Sequence, residues 1–430
     1  MAGTRQAYKS KIELAFNYRG IRENISSDRL TYIMNEYDYE KQVLPIIYVC
    51  FSASTELYTK IMKYKKEASF YLCIKKANAN SKFPVYKTIL SGNFTYIPSN
   101  ANPNYTEELD VGDGGNAYKR ITVGLISMEL TNSLRTSFND IYNNINTNTL
   151  LGIALNGTDC IVERPTKTKS FSTLIVPPIA SRYQMIKFIF EEEPFYNTYF
   201  RYFMDFDKSY LLSNLGGPVD GGDGELSNII FDIRSVTEEE AYYDGIEVKN
   251  NAYYVYISPP NSNITLNEST EKVANQIVGF DEDGTYISNL EINNSKGSEK
   301  KQMFMRTDNV ELYKNELETN TIIIEVTKQH IDGTLFTPNK CINVKNYGDY
   351  AQYNGRYIMV YKRDIYRAVA GEFLMSTCIG LKKVANIDSV VAASAKNAIN
   401  KISSAIKTST ANIKNTSRSV SKAIGELLDD

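Results

Sequence analysis

Any histidine-dependent catalysis by this chain would have to run on one imidazole, because the sequence holds a single histidine, His330. A Ser-His-Asp or Cys-His relay needs that group to carry a proton between nucleophile and leaving group. His330 stands in VTKQHIDGTLF, with no nucleophile elbow around it, and reads as a structural or surface residue. The count excludes a multi-histidine metal site, and HExxH is absent. Five cysteines (Cys50, Cys73, Cys160, Cys341 and Cys378) share no CxxC or Cys/His spacing. Neither a zinc site nor a disulfide framework is expected, and reduced thiols fit synthesis in a cytosol. Carboxylates occur in runs, Glu191–Glu193 and Glu238–Glu240, and paired carboxylates are what glycoside hydrolysis requires. The chain has no Trp on which to stack a sugar ring, although Tyr can take that place.

Glycine clusters give no better site. Asp110–Gly115 (DVGDGG) lacks the Lys-Ser/Thr of a phosphate-cradling loop. Asp220, Asp223 and Glu225, and again Asp281 with Asp283, lack the ligand register and closing Glu of a calcium hand and read as solvated turn acids. The expectation is a protein without catalytic residues, metal ligands or cofactor, and not an enzyme. A cell-wall hydrolase (lysozyme or peptidase) is the enzymatic alternative.

The elements that would position any site are mostly strands. At 430 residues, 42% hydrophobic and 23% charged, the chain has room for two or three domains. No run of about 18 apolar residues is present for a membrane span, so no membrane insertion is expected. The N-terminal MAGTRQAYKSKIELAF lacks the apolar core of a secretion signal. Period-two or continuous apolar patterning predicts strands at 11–17, 43–51, 69–75, 86–96 and 120–130. Ser54 is placed to cap a helix over TELYTKIMKYKK. A helix is predicted over 131–145, capped by Thr131 or Asn132, with Leu134, Phe138 and Ile141 on one buried face; 179–189 is a second. An aromatic strand follows at 195–212, ending at the glycine-dense LGGPVDGGDGE. Further strands are predicted at 228–234, 252–258, 276–280 with 285–292 as a hairpin, 302–307, 321–327, 340–345, 357–361, 365–369 and 373–381.

The tail is different in charge and period. Between Lys382 and Lys422 lie eight Lys/Arg and one acid, Asp388, whereas residues 1–381 carry 40 basic and 46 acidic side chains. Ile399, Ile406, Ile413, Val420 and Leu427 recur every seven residues, and Ile402, Ser409, Thr416 and Ala423 follow three positions on. This is a heptad seam with one apolar and one mostly small or polar line. It buries too little to persist alone, so it is expected to lie at a protein contact. The fold class is therefore mostly β with an α/β portion: a β-barrel-like domain over 1–130, a mixed α/β region over 131–225, a second β-barrel-like domain over 226–385, and a basic amphipathic helix over 386–430.

Three stretches carry a resemblance. TPNK at 337–340, INVKN, YNGRYIMVYKRDIYR and GEFLMSTCIGLKKV are similar to the C-terminal end of the baseplate hub proteins of contractile tailed phages and related injection machines. The matching places are Pro338, Asn354-Gly355-Arg356-Tyr357, Tyr361–Arg363, and Phe373 with Lys382-Lys383. FEEEPFYNTYFRYFMDFDKSYLLSNLG resembles the central segment of such hubs, and YDYEKQVLPIIYVCFSASTELYTKI their first barrel. The resemblance implies a virion protein of the tail baseplate, made in the bacterial host cytoplasm. It implies a homotrimeric hub that joins the tail tube to the central spike, adapts sixfold to threefold symmetry, contacts tail tip and other baseplate subunits, and leaves a lumen for the tape-measure protein and DNA. A connector protein elsewhere in the tail is the structural alternative. For the partner interface, replacing Ile406 and Ile413 with Asp should leave the β domains folded but weaken attachment of the partner. Assembly of the purified variant at wild-type level would remove the seam from that role.

Overall fold

A computed structural model describes residues 8–40, 42–78, 85–97, 108–111, 117–206, 208–214, 228–233, 246–249, 252–257, 262–268, 276–280, 286–291, 302–306, 322–329, 336–345, 354–369 and 372–383. The first third consists of β1 (Tyr8–Tyr18), β2 (Ile21–Ile25), β3 (Leu30–Asp38), β4 (Ile46–Ser54), α1 (Thr55–Tyr64), β5 (Ser69–Asn78), β6 (Lys87–Ile97), β7 (Glu108–Val111) and β8 (Ala117–Ser127). Arg19 and Gly20 both take positive φ (46° and 78°), as a two-residue hairpin turn between twisted strands requires. Ser54 caps α1 as its position predicts, its hydroxyl accepting from the Leu57 amide at 3.3 Å.

The middle holds α2 (Met128–Leu134), β9 (Arg135–Asn146), α3 (Thr147–Leu155), β10 (Cys160–Val162), β11 (Ser170–Ser181), α4 (Arg182–Glu192), β12 (Phe200–Met204) and β13 (Ser209–Ser213). Three sequence expectations are corrected here. In place of the helix over 131–145 stand the seven-residue α2, capped by Ser127, and then a strand that pairs with β11. Asn139, Asn143, Asn144 and β-branched Thr136, Ile141 and Ile145 favour helix weakly, and of the expected face Phe138 is buried on a strand while Ile141 is 60% exposed. The helix at 179–189 starts three residues later, after a Ser181 cap. The aromatic strand over 195–212 is a hairpin of β12 and β13. Its turn is closed by Asp205, whose carboxylate accepts from the Lys208 amide at 2.7 Å. Arg182 is 9% exposed and donates to Ser133 O and Ala154 O, each at 2.8 Å. One guanidinium thus satisfies carbonyls at the C-terminal ends of α2 and α3, where the helix dipole favours a cation.

The last part contains β14 (Asn228–Ile233), β15 (Ile246–Lys249), β16 (Ala252–Ile257), β17 (Ser262–Glu268), β18 (Gln276–Phe280), β19 (Tyr286–Glu291), β20 (Gln302–Arg306), β21 (Ile322–Gln329), β22 (Cys341–Lys345), β23 (Gly355–Val369) and β24 (Glu372–Lys383). The predicted hairpin of β18 and β19 is present. The two short strands expected at 357–361 and 365–369 are one 15-residue strand, β23. Its central charges read as a break, yet Arg363 meets Glu36 of β3, Asp364 meets Thr377 of β24 and Lys362 pairs with Asp364, so nothing interrupts the ladder.

Pairing order shows how the sheets join. Eight strands close into a hydrogen-bonded ring, β23-β3-β4-β8-β6-β5-β1-β24, because β23 also pairs with β24. A second eight-strand sheet runs β15-β16-β14-β22-β23-β24-β21-β17. The β23–β24 hairpin belongs to both. Gly355–Tyr357 of β23 pairs with β22, and Tyr361–Arg367 pairs with β3. On β24, Ser376–Lys382 pairs with β21, and Phe373 meets Ser10 of β1. At about 3.4 Å per residue, β23 is about 50 Å long, enough to serve two sheets in succession.

The side chains record the same division. Tyr357, Met359, Ile379 and Leu381 lie in the core of the second sheet, whereas Tyr366, Phe373 and Met375 lie in the core of the ring. Between the two sets come Lys362, Asp364 and Thr377, all buried. A bulge between Met359 and Tyr361 re-aims β23 at this crossing. Opposite it, Tyr361 lies flat against Gly380, and a Cβ there would overlap the ring. Gly380→Val should therefore destabilise the fold by about 1–3 kcal/mol through overpacking. Denaturation midpoints would show this, and Tyr361→Ala in the same chain should recover part of the loss.

Candidate functional site

The buried polar layer at the hairpin crossing is the most chemically dense place among the described residues. It forms because the inward face of β23 passes from one apolar core to another, and the residues between them need not be apolar. Lys362 Nζ lies 3.4 Å from Asp364 Oδ2 and donates to Phe336 O at 3.4 Å. It also sits 4.9 Å from the centre of the Tyr37 ring, within cation–π range. Thr377 donates to the other Asp364 oxygen at 2.8 Å. At the margins, Arg363 pairs with Glu36 at 2.8 Å and Lys382 with Glu40 at 2.6 Å, which stitches β3 and the turn after it to the hairpin. Burial pushes the hydroxyls of Tyr37 and Tyr39 well above the usual phenol range, with Asp364 and Asp205 adding to it. Both therefore stay neutral at ordinary pH.

The middle region reaches this layer through one loop. Phe206, in the β12–β13 turn, packs against both cores. Its ring stands edge-on to Tyr37 and Phe94, with centroids 6.0 and 6.1 Å away. Arg201 donates to Met359 O at 3.0 Å, and the Met204 amide donates to Val43 O at 2.8 Å. Beside Phe206 lies a cavity of about 230 Å³, lined by Asn35, Lys76, Asp205, Thr337, Asn339 and the Lys362–Asp364 pair among others. A second space of about 220 Å³ lies along β6 and shares Ile89, Leu90 and Phe206 with the first.

The sequence-derived candidates do not gather here. Ile399, Ile402, Ile406, Ile413, Val420 and Leu427 lie outside the described residues, as do His330, Asp220, Asp223, Glu225, Asp281, Asp283 and Glu238–Glu240. Glu191 pairs with Lys187 and Glu193 with Lys169, both at 3.6 Å, so this acidic run is a solvated helix end. Among the described residues, no group of three His, Cys, Asp or Glu could hold a metal. Cys50, Cys73 and Cys378 are buried and in no disulfide, and burial pushes the Cys160 thiol up to about 11. That keeps Cys160 protonated and a poor nucleophile. No described helix is long and apolar enough to cross a membrane.

Sequence reading missed Lys362, Asp364, Thr377, Asn35, Asn339 and Phe206. One signal was available: in YKRDIYR, charges at 362 and 364 share a strand face with Tyr366. Charge on the apolar face of a strand marks either a surface or a buried pair.

Comparison with known proteins follows the same lines. A family model described as bacteriophage PBS1 gene 109 protein matches residues 6–419. No curated protein matches the chain. Among solved structures, the tail protein from Neisseria meningitidis MC58 is 8% identical, with 86% of this chain and 96% of that chain covered and a TM-score of 0.48. The 43 kDa tail protein of prophage MuSo2 from Shewanella oneidensis is 10% identical, with 87% and 97% covered and the same TM-score, 0.48. The E. coli c3393 protein, a component of the type VI secretion system, is 9% identical, with 88% and 77% covered and a TM-score of 0.41.

Removing Lys362 alone should be costly, because Asp364 would remain buried without its cation. Lys362→Met is expected to lose about 3–5 kcal/mol of stability, and Lys362→Met with Asp364→Leu considerably less. Urea denaturation of the three chains gives the comparison, and equal losses would mean that the pair does not act as a unit.

Proposed function

The chain belongs to the family of the bacteriophage PBS1 gene 109 protein, and from that premise we propose that it is a structural protein of the phage tail, placed as the central hub of the baseplate. One observation carries the reading: two eight-strand sheets share a single hairpin, β23–β24. A joint made of continuous backbone hydrogen bonds yields one stiff body with two sheet assemblies side by side. Three such bodies around an axis would present six sheet assemblies to a sixfold tube and three copies to a threefold spike. The middle region, tied to the hairpin by Arg201 and Phe206, would then be held at a fixed angle for contact with neighbouring baseplate subunits. The ring's centre would leave passage for the tape-measure protein and DNA.

In this role the protein works by shape and adhesion, with no turnover and no cofactor. Two features support that reading. The charged side chains gathered at the crossing are paired with one another, and the Cys160 thiol is held protonated. An averaged electron-microscopy map of the intact particle provides the test. The expected result is three copies of the chain on the tail axis, between tube and spike. Copies away from the axis, or a monomer that cleaves peptidoglycan in isolation, would overturn the hub assignment.

A further inference from the structure

We infer that the trough along β6 and Phe206 receives an extended peptide strand from a partner protein, carrying an N–H-donating side chain (Asn, Gln or Arg) into the inner cavity. The inference rests on the assembly role above only for the source of the partner.

Three observations converge on this trough. The first is backbone: β6 pairs with β5 from Lys87 to Thr95, but with β8 only from Phe94 to Ile97. β8 stops at Ser127, where that residue's hydroxyl caps α2 and the chain turns into helix. Residues 87–93 are therefore a strand edge without a second partner strand among the described residues. The second is space: Thr88–Gly92 of this edge line the 220 Å³ groove, whose far wall is Ser127, Glu129, Leu130 and Phe206. An added strand would lie between these walls, its backbone bonding to the edge and its apolar side chains against Leu130 and Phe206. That is the chemistry of strand addition, in which main-chain bonds give affinity and pockets give choice.

The third observation says what the strand should carry. The groove adjoins the 230 Å³ cavity, and Ile89, Leu90 and Phe206 line both. There the carboxamide oxygens of Asn35 and Asn339, at 4% and 7% exposure, have no hydrogen-bond partner among the described residues, and neither has the Thr337 hydroxyl. Buried polar atoms are nearly always satisfied in native proteins. Acceptors near the Asp205 and Asp364 carboxylates call for a donor, and an amide or guanidinium at the end of a flexible side chain supplies several at once.

Hydrogen exchange of the full chain, alone and in the intact particle, tests this directly. In the free chain the amides of 87–93 that face away from β5 should exchange freely; in the particle they should slow by at least about 100-fold, as amides bonded within a sheet do. Equal exchange in both states would overturn the inference, and so would protection already present in the isolated chain, which would assign the groove to the chain's own residues. A second variant separates a peptide from trapped water. Asn339→Leu should leave the melting temperature of the isolated chain unchanged or raised, while its incorporation into particles falls at least about tenfold, since only an incoming donor loses its acceptor. A lowered melting temperature with normal incorporation would mean that the cavity holds only water. Threefold hub placement could fail while this protection pattern stands, and the reverse, so the two readings are separable.

Discussion

The interaction on which the rest depends is the ladder between β23 and β24, because each strand holds a different neighbour at each end. Register runs from Tyr357↔Lys383 to Val369↔Glu372. Within it β23 passes from β22 to β3, and β24 passes from β1 to β21. Sliding or hinging one sheet against the other would require breaking backbone hydrogen bonds in the middle of a sheet, where water cannot replace them. Loops and domain interfaces permit motion by default; a shared strand does not. The two apolar cores are consequently parts of one body.

The polar layer at the crossing follows from the same constraint. A strand with a single core behind it can be apolar at every second position, but β23 and β24 change cores midway. Their inward residues read Tyr357 and Met359, then Lys362 and Asp364, then Tyr366; and Phe373 and Met375, then Thr377, then Ile379 and Leu381. The ion pair and the Thr377 hydrogen bond satisfy one another, so the layer does not subtract much from stability, and it is not a strong source of it either. Its effect is on choice of register. A two-residue slip of β24 against β23 would keep every side chain on its face, and would still move Thr377 away from Asp364. Apolar pairs in the same places would tolerate that slip more easily.

Most strands were legible in the sequence because each stretch is decided by its own residues. IIYVCF is buried on both faces and could be little else, and Asp281–Gly284 marks the turn between two strands that do pair. The failures share a cause: the deciding partner is distant in the chain. The segment RTSFNDIYNNIN carries a tolerable helical spacing, and it becomes β9 because β11 lies beside it. YIMVYKRDIY looks interrupted by charge until Glu36 and Thr377, both from other strands, are placed against Arg363 and Asp364. The polar layer and Phe206 were hidden for the same reason. Arg201 meets Met359 and Arg363 meets Glu36 across more than 150 residues, Asp364 meets Thr377 on the next strand, and no local pattern encodes such partners. The heptad seam at 399–427 was legible as a periodicity alone, and a periodicity does not name what lies against it.

Edge exposure shows how far the ring has been closed. Strand edges invite indiscriminate pairing, and proteins shorten, cover or twist them away. Here the ring closes by β6–β8 over four residue pairs, and by β1–β24 over one. The open part of β6 is recessed, since α2 stands along it and Phe206 lines its inner end. A bare edge would bind any extended chain. A recessed edge between Leu130 and Phe206, beside a cavity whose Asn35 and Asn339 carboxamide oxygens lack partners among the described residues, favours a strand that can enter lengthwise and supply donors. Closing the ring fully would have needed only a few more residues of β8 in place of α2, and the sequence instead puts Ser127 there to start a helix.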